Sequence, residues 1–241
     1  MTERSSNSIF NFKKFSVRNE KSALKVGTDA VLLGSAMTVA GTDRRMLDIG
    51  TGTGVIALMA AQRASEMGIG CAIEAIDIDE ESCREAQYNF SASPWGEMVS
   101  VFNTPLSSFR AGEPFDLIFS NPPYYDCSLR NPDERECLAR HTDTLSYREI
   151  CSFASENLTG SGRLSLILPS ESEQALVRTA ASFGLYPFRI LRVRTTATKP
   201  VKRIVVEFSR SRKDCVEEEI VLQDGNGRTA DYASLTERFY I

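Results

Sequence analysis

Two short stretches of this 241-residue chain combine residue types that could do chemistry: Asn121-Pro122-Pro123-Tyr124-Tyr125 and Asp48-Ile49-Gly50-Thr51-Gly52-Thr53-Gly54. The first closes the apolar run "FDLIFS". Proline has no N–H and fixes φ, so a Pro-Pro pair stiffens the turn and presents carbonyls without competing donors. If the Asn121 side-chain oxygen and the Pro122 carbonyl aim at one atom, they accept both hydrogens of a planar amino group. Such a nitrogen is a poor nucleophile because its lone pair is delocalised. Accepting both hydrogens favours pyramidalisation and stabilises the positive charge that grows as the nitrogen attacks an electrophile. Tyr124 is expected to stack on the ring that carries the amine and hold it in line, with Tyr125 also on the substrate side. The reaction needs no strong base and no metal.

The second stretch would supply the electrophile. Glycines at 50, 52 and 54 permit positive φ and close backbone approach at a helix N-terminus, so the turn reads as a ligand cradle. A dinucleotide fingerprint would require glycine at position 55, where this chain has Val55, and that argues against a dehydrogenase. The GxGxG spacing, with Asp48 two residues before the first glycine, suits a ligand that carries an ammonium group and no pyrophosphate, a description that fits S-adenosylmethionine. Asp77, ending "AIEAID", stands where an α/β nucleotide site places an acid for the ribose hydroxyls; Asp79 is expected to cap the next helix.

These residues must be held by alternating strands and helices. "RMLDIG" predicts a strand and "VIALMAAQRASEM" an amphipathic helix; "CAIEAIDID" and "EESCREAQYNF" repeat the pattern. Further strands are expected near 98–103, 115–120 and 163–168, and helices near 145–157 and 171–182. The reading is one α/β domain over residues 1–241: a Rossmann-like, mostly parallel seven-stranded sheet with helices on both faces. "LYPFRILRVRT" and "VKRIVVEFSR" leave no room for a crossover helix and are expected to pair antiparallel as a hairpin at the sheet edge, within residues 185–213. Residues 1–25 are read as an arm or lid; Lys13, Lys14 and Arg18, interleaved with Phe10, Phe12 and Phe15, would make it an RNA-facing arm or, equally, a packed N-terminal strand.

Net charge is −4, so the chain as a whole carries no nucleic-acid footprint, but nine Lys or Arg against a single acid lie between Arg189 and Lys213. Arg192 and Arg194 share a strand face, and Lys199, Lys202 and Arg203 cluster at the hairpin turn; together they are expected to meet phosphates of an RNA substrate. The bland alternative is solvated charge that protects an edge strand. Six scattered cysteines without a CxxC pair read as reduced structural thiols, and the single histidine, His141, as a capping or structural residue. There is no secretion-signal core and no apolar run long enough to span a membrane, so a cytoplasmic location without membrane contact and a monomer are expected.

Taken together, "LDIGTGTG", "AIDID" and "NPPYY" resemble the class I S-adenosylmethionine-dependent amino-methyltransferases. The segments "FKKFSVRNEKSALKVGTDAVLLGSAM" and "RHTDTLSYREI" are similar to one branch, the bacterial enzymes that methylate the 6-amino group of adenine 37 in a valine tRNA, and the resemblance covers nearly the whole chain. It implies S-adenosylmethionine as cofactor and tRNA as partner. It also implies that Lys25, Thr28 and Asp29 lie near the amino-acid end of the cofactor, that Asp48, Gly50 and Gly52 contact it, that Asp77 binds its ribose, and that Asn121 serves both cofactor and amine. The chain departs from the family at Asn103-Thr104-Pro105, where an acid near the end of the third strand often meets the cofactor adenine; recognition is expected from backbone or from Leu106 instead. NPPY is shared with protein-glutamine, DNA-adenine and rRNA-guanine methyltransferases. A DNA enzyme usually adds a sequence-reading domain, and a glutamine enzyme an N-terminal helical domain larger than the stretch before position 45. A non-enzymatic nucleotide-binding protein is the remaining alternative, disfavoured because both motifs are intact.

Overall fold

The computed structural model describes residues 9–22, 25–123 and 145–241. Tyr124, Tyr125 and His141 therefore lie outside the described residues. Besides a short antiparallel pair, β1 (Ile9–Asn11) and β2 (Ser16–Arg18), a sheet of eight strands runs through the molecule, built from β3 (Arg45–Ile49), β4 (Ala72–Asp77), β5 (Val99–Asn103), β6 (Phe115–Ser120), β7 (Leu158–Pro169), β8 (Tyr186–Arg194), β9 (Val201–Ser209) and β10 (Val216–Val221). Their order is β10-β8-β9-β7-β6-β3-β4-β5. Only β9 runs against the others, antiparallel to both β7 and β8, so the Rossmann-like class is as expected.

The sheet margin differs from the expectation. The hairpin β8–β9 is antiparallel as predicted, but it is not the edge, because β10 pairs in parallel with β8 and makes an eighth strand. "VEEEIV" has three consecutive glutamates and little apolar alternation, so its propensity for a strand is low. It pairs with β8 over six residues, and Arg189, Arg192 and Arg194 of β8 meet Glu218, Glu217 and Glu219 across the pair.

Strand alternation sends side chains to two cores. Met46, Leu117, Phe119, Ile167 and Val205 pack beneath α1 (Thr28–Ala36), α2 (Val55–Glu66) and α3 (Glu80–Ser91). Leu47, Ile118, Leu164, Leu166 and Val206 face α4 (Tyr147–Asn157) and α5 (Glu173–Ser182). Local signals set the helix starts. Asp79 accepts from the Ser82 amide at 2.9 Å to cap α3, and Ser146 with Glu149 forms a reciprocal capping box at α4.

The N-terminal segment is packed within its described residues, as the packed-strand alternative expects. Phe12, Phe15 and Val17 are buried; Phe15 meets Trp95 edge-on, and the Lys13 amide donates to the Phe239 carbonyl at 2.8 Å. Apolar burial outweighs the solvation of the interleaved lysines, which keep their ammonium groups at the surface: Lys14 pairs with Glu66 there.

Gly54 joins the cradle to the core. Its φ is +80°, and a Cβ built there would lie 2.4 Å from Cε1 of the buried Phe90. Gly54→Ala is therefore expected to destabilise the protein by roughly 2–5 kcal/mol, from left-handed strain plus overpacking. The check is a urea midpoint, and an unchanged midpoint would refute the packing argument.

Candidate active site

The site forms where three parallel strands end together. Ile49 of β3 is opposite Ser120 of β6, and the Ser120 hydroxyl donates to the Ile49 carbonyl at 2.6 Å. The next residues, Gly50 and Asn121, therefore leave the sheet side by side. Asn121 is half-buried and Pro122 buried. From β4, the Ile76 carbonyl accepts the amides of both Gly50 and Thr51, at 2.9 and 3.0 Å. The Asp77 carboxylate accepts from the Gly52 amide at 2.8 Å and the Asp79 amide at 3.0 Å. Gly50, Gly52 and Gly54 all take positive φ, which lets the turn close over these contacts.

Asp48 lies fully buried beneath the turn. One carboxylate oxygen, Oδ2, accepts the Thr51 hydroxyl at 2.7 Å, while Oδ1 makes no hydrogen bond of good geometry among the described residues. Burial pushes its pKa up to about 7; the Thr51 bond opposes the rise, the Asp77 charge adds to it, and the Ala57 amide opposes it. Burial also raises Asp77, against the amides of Asp79 and Gly52. An under-satisfied buried carboxylate below a glycine turn fits a ligand with a cationic head, and an acid at the neighbouring strand end fits a sugar diol.

The segment ahead of α1 is anchored to α3. The buried Glu85 carboxylate accepts the amides of Glu20, Lys21 and Ser22 at 2.6, 2.9 and 2.8 Å. Lys25 is exposed, with its ammonium donating to the Glu20 carbonyl at 2.7 Å. Thr28 opens α1, and Asp29 in the same turn accepts from Arg203 Nε at 2.9 Å. Because Arg203 is opposite Pro169, the last residue of β7, this ion pair sits on the carboxyl edge of the sheet, the same edge as the glycine turn.

Two positions escaped the sequence reading. Glu85 looked like one more helix acid, and nothing local marked it as the partner of three amides. Ile78, 65% exposed directly after Asp77, was legible as the apolar residue inside "DID" and offers a flat ligand group an apolar surface beside the acid. Leu106, expected as an alternative adenine contact, is buried in the core cluster that also holds Ile76 and Phe109, just after the turn at Pro105.

Four of the nine cations of the hairpin stretch are ion-paired within the chain, three of them among the five expected to meet phosphates. Arg189 pairs with Glu207 and Glu218, Arg192 with Glu173 and Glu217, Arg194 with Glu219, and Arg203 with Asp29. Glu207 is fully buried and also receives the Thr38 amide and the hydroxyls of Thr38 and Ser165. Lys199 and Lys202 are exposed at the turn, which lies on the carboxyl edge with the site.

No helix of the described residues is long and apolar enough to cross a membrane, and the described residues contain no group of three or more His, Cys, Asp or Glu that could hold a metal.

The family model described as the methyltransferase small domain matches residues 21–176. The chain belongs to this methyltransferase family. A protein of Flavobacterium johnsoniae named tRNA1(Val) (adenine(37)-N6)-methyltransferase is 40% identical over 237 residues, 97% of this chain and 99% of that protein. One of the same name from Parabacteroides distasonis is 44% identical over 207 residues, 84% of each chain. Among solved structures, a predicted O-methyltransferase of Agrobacterium tumefaciens superposes with a TM-score of 0.67 at 19% identity, covering 89% of this chain and 98% of the other; it supports the fold alone. Within this methyltransferase the match takes in the glycine turn, Asp77 and Asn121.

Proposed function

We infer that the methyltransferase transfers a methyl group from S-adenosylmethionine to the 6-amino group of an adenine in tRNA, at position 37 of a valine tRNA. The observation that carries the chemistry is the register of β3 on β6, which sets a turn suited to a cationic ligand beside an amide and a stiff proline turn suited to an amine. Near-full-length relatives named for that reaction support the substrate.

In this reading Asp48, Gly50, Gly52 and Asp77 hold the cofactor, with Lys25, Thr28 and Asp29 toward its amino-acid end. The cofactor, when bound, supplies an electrophilic sulfonium methyl. Asn121 and Pro122 accept the two hydrogens of the amine, orient its lone pair and offset the charge developing on nitrogen. The motif assigns ring stacking to Tyr124 and a substrate-side role to Tyr125, both outside the described residues. The proton departs to water after transfer, so the chain needs no buried base.

The test is transfer of radiolabelled methyl from S-adenosylmethionine to unmodified total tRNA, with protein and DNA fractions in parallel, followed by nucleoside analysis. Label in 6-methyladenosine is expected. Label confined to protein would overturn the RNA substrate and move the reaction to glutamine; label in a guanine nucleoside would move it to the 2-amino group.

RNA phosphates are met by Lys199 and Lys202 in this reading, whereas Arg192, Arg194 and Arg203 act mainly by bracing the hairpin. Lys199→Glu with Lys202→Glu is expected to weaken tRNA binding and flatten the log-log salt dependence by about 1.5, at roughly 0.7–0.9 per lost phosphate contact. Unchanged affinity and slope would return the turn to a solvated surface.

A further inference from the structure

We propose that Asn89 is a positioning residue for the methyl donor: its buried side-chain amide ties the second half of the glycine turn to the N-terminal segment, so that both close on the amino-acid end of the cofactor as one unit. This rests on the cofactor reading above.

The turn is held from two sides. β4 fixes its first half, through the Ile76 carbonyl on the Gly50 and Thr51 amides and the Asp77 carboxylate on the Gly52 amide. α3 meets the second half. Asn89 Nδ2 donates to the Thr53 carbonyl at 2.9 Å, and Gly54 abuts the ring of Phe90, the next residue of α3. The rest of the Asn89 side chain is spent on the N-terminal segment: Nδ2 also donates to the Arg18 carbonyl at 3.0 Å, and Oδ1 accepts the Arg18 amide at 2.7 Å. All three bonds require the same amide orientation, and a flipped amide would lose every one. Asn89 is only 1% exposed, so solvent does not replace these bonds when they are removed.

Arg18 begins a stretch of backbone that α3 holds by its side chains. Ser82, Glu85 and Asn89 follow one another at three and four residues, which places them on one stripe of the helix, and all three are buried. Glu85 takes the amides of Glu20, Lys21 and Ser22, and the Ser82 hydroxyl donates to Ser22 Oγ at 3.2 Å. The stretch then turns back on itself, with the Val26 amide on Asn19 Oδ1 at 3.0 Å and the Lys25 ammonium on the Glu20 carbonyl, and leads into Thr28 at the start of α1. Asn89 is the member of the stripe that also bonds the glycine turn, so it sets the spacing between the two parts assigned to the amino-acid end. The ribose end does not depend on it, because Asp77 is anchored separately by the Gly52 and Asp79 amides.

The experiment measures calorimetric Kd values of S-adenosylhomocysteine and of methylthioadenosine, which keeps the nucleoside and the sulfur but lacks the amino-acid group, on the wild-type protein and on Asn89→Ala. The substitution is expected to weaken S-adenosylhomocysteine by about tenfold or more and methylthioadenosine by no more than about threefold. A general loss of packing weakens both ligands by the same factor, and that result overturns the proposal, as does unchanged affinity for both. Amide hydrogen exchange on the wild type decides the matter even where the variant does not fold. By reciprocity, a ligand that engages the turn steadies the segment tied to it: the Arg18 and Ser22 amides are expected to exchange about tenfold more slowly with S-adenosylhomocysteine bound and at an unchanged rate with methylthioadenosine. Equal protection by both ligands, or protection by neither, overturns the proposal. A wild type that binds neither ligand sinks the cofactor reading itself, whereas binding of S-adenosylhomocysteine with an unchanged ratio in the folded variant sinks the Asn89 assignment alone.

Discussion

Asn121→Ala is expected to lower the rate of methyl transfer to tRNA by about a hundred- to a thousandfold while the cofactor Kd stays within about threefold. The asymmetry follows from when the contact matters. In the ground state the amine hydrogens are shared with water or with the acceptors at similar strength, so little binding free energy depends on Asn121. In the transition state the nitrogen acquires positive charge and its hydrogens become stronger donors. The contact then strengthens, and only that increment accelerates the reaction. Alanine leaves Pro122 in place, so the turn keeps its shape and a residual rate remains. Single-turnover kinetics with saturating cofactor, beside calorimetric cofactor binding, separate the two effects. Near-normal turnover in the variant would sink the amine clamp, and a cofactor Kd that rose in step with the lost rate would reassign Asn121 to cofactor binding.

The second large effect is a trade between binding and stability at Asp48. Burial raises this carboxyl from an ordinary 3.8 to about 7, so the native state holds a proton between those values that the unfolded chain releases. The sign is the reverse of the usual carboxylate case. The contribution of Asp48 to stability declines as pH rises from about 4 to about 7 and is least favourable above about 7. Asp48→Asn removes that cost and is expected to stabilise the ligand-free protein at pH 8 by as much as about 4 kcal/mol, with little change near pH 4. The same substitution removes the charge that balances the ligand ammonium and weakens cofactor binding by about 10- to 100-fold. In the wild type, affinity falls as pH drops below about 7, because a protonated Asp48 no longer attracts a cation. Thermal melts and binding isotherms at pH 6 and 8 test both halves. An asparagine variant that melts lower at pH 8, or binds the cofactor as tightly as the parent, would refute the assignment.

How much of this was legible in the sequence depended on the range of the interaction involved. The strand-turn-helix units, the GxGxG turn, the acid at 77 and the stop at Asn121-Pro122 are each written within a dozen residues, because φ freedom, helix capping and apolar periodicity act locally. Parallel strands separated by helices then bring the carboxyl ends together almost regardless of detail, and so the cofactor turn and the proline turn could be set side by side in advance.

What required the tertiary structure was charge and burial between distant segments. Of the five cations expected to meet phosphates, Arg192, Arg194 and Arg203 are already paired, and their partners lie elsewhere: Glu173 in a helix, Glu217 and Glu219 in a strand whose composition conceals it, and Asp29 at the start of α1. The same holds for Glu85, which captures amides more than sixty residues away, and for the N-terminal phenylalanines, whose partners include Phe239 and Tyr240 at the other end of the chain. The sequence alone determined the proposed chemistry, since each group assigned to it comes from a short motif at a strand end. The fold decided which cations and acids are already paired and which edges are covered, because coulombic pairing and burial depend on separation in space, which separation along the chain does not reveal.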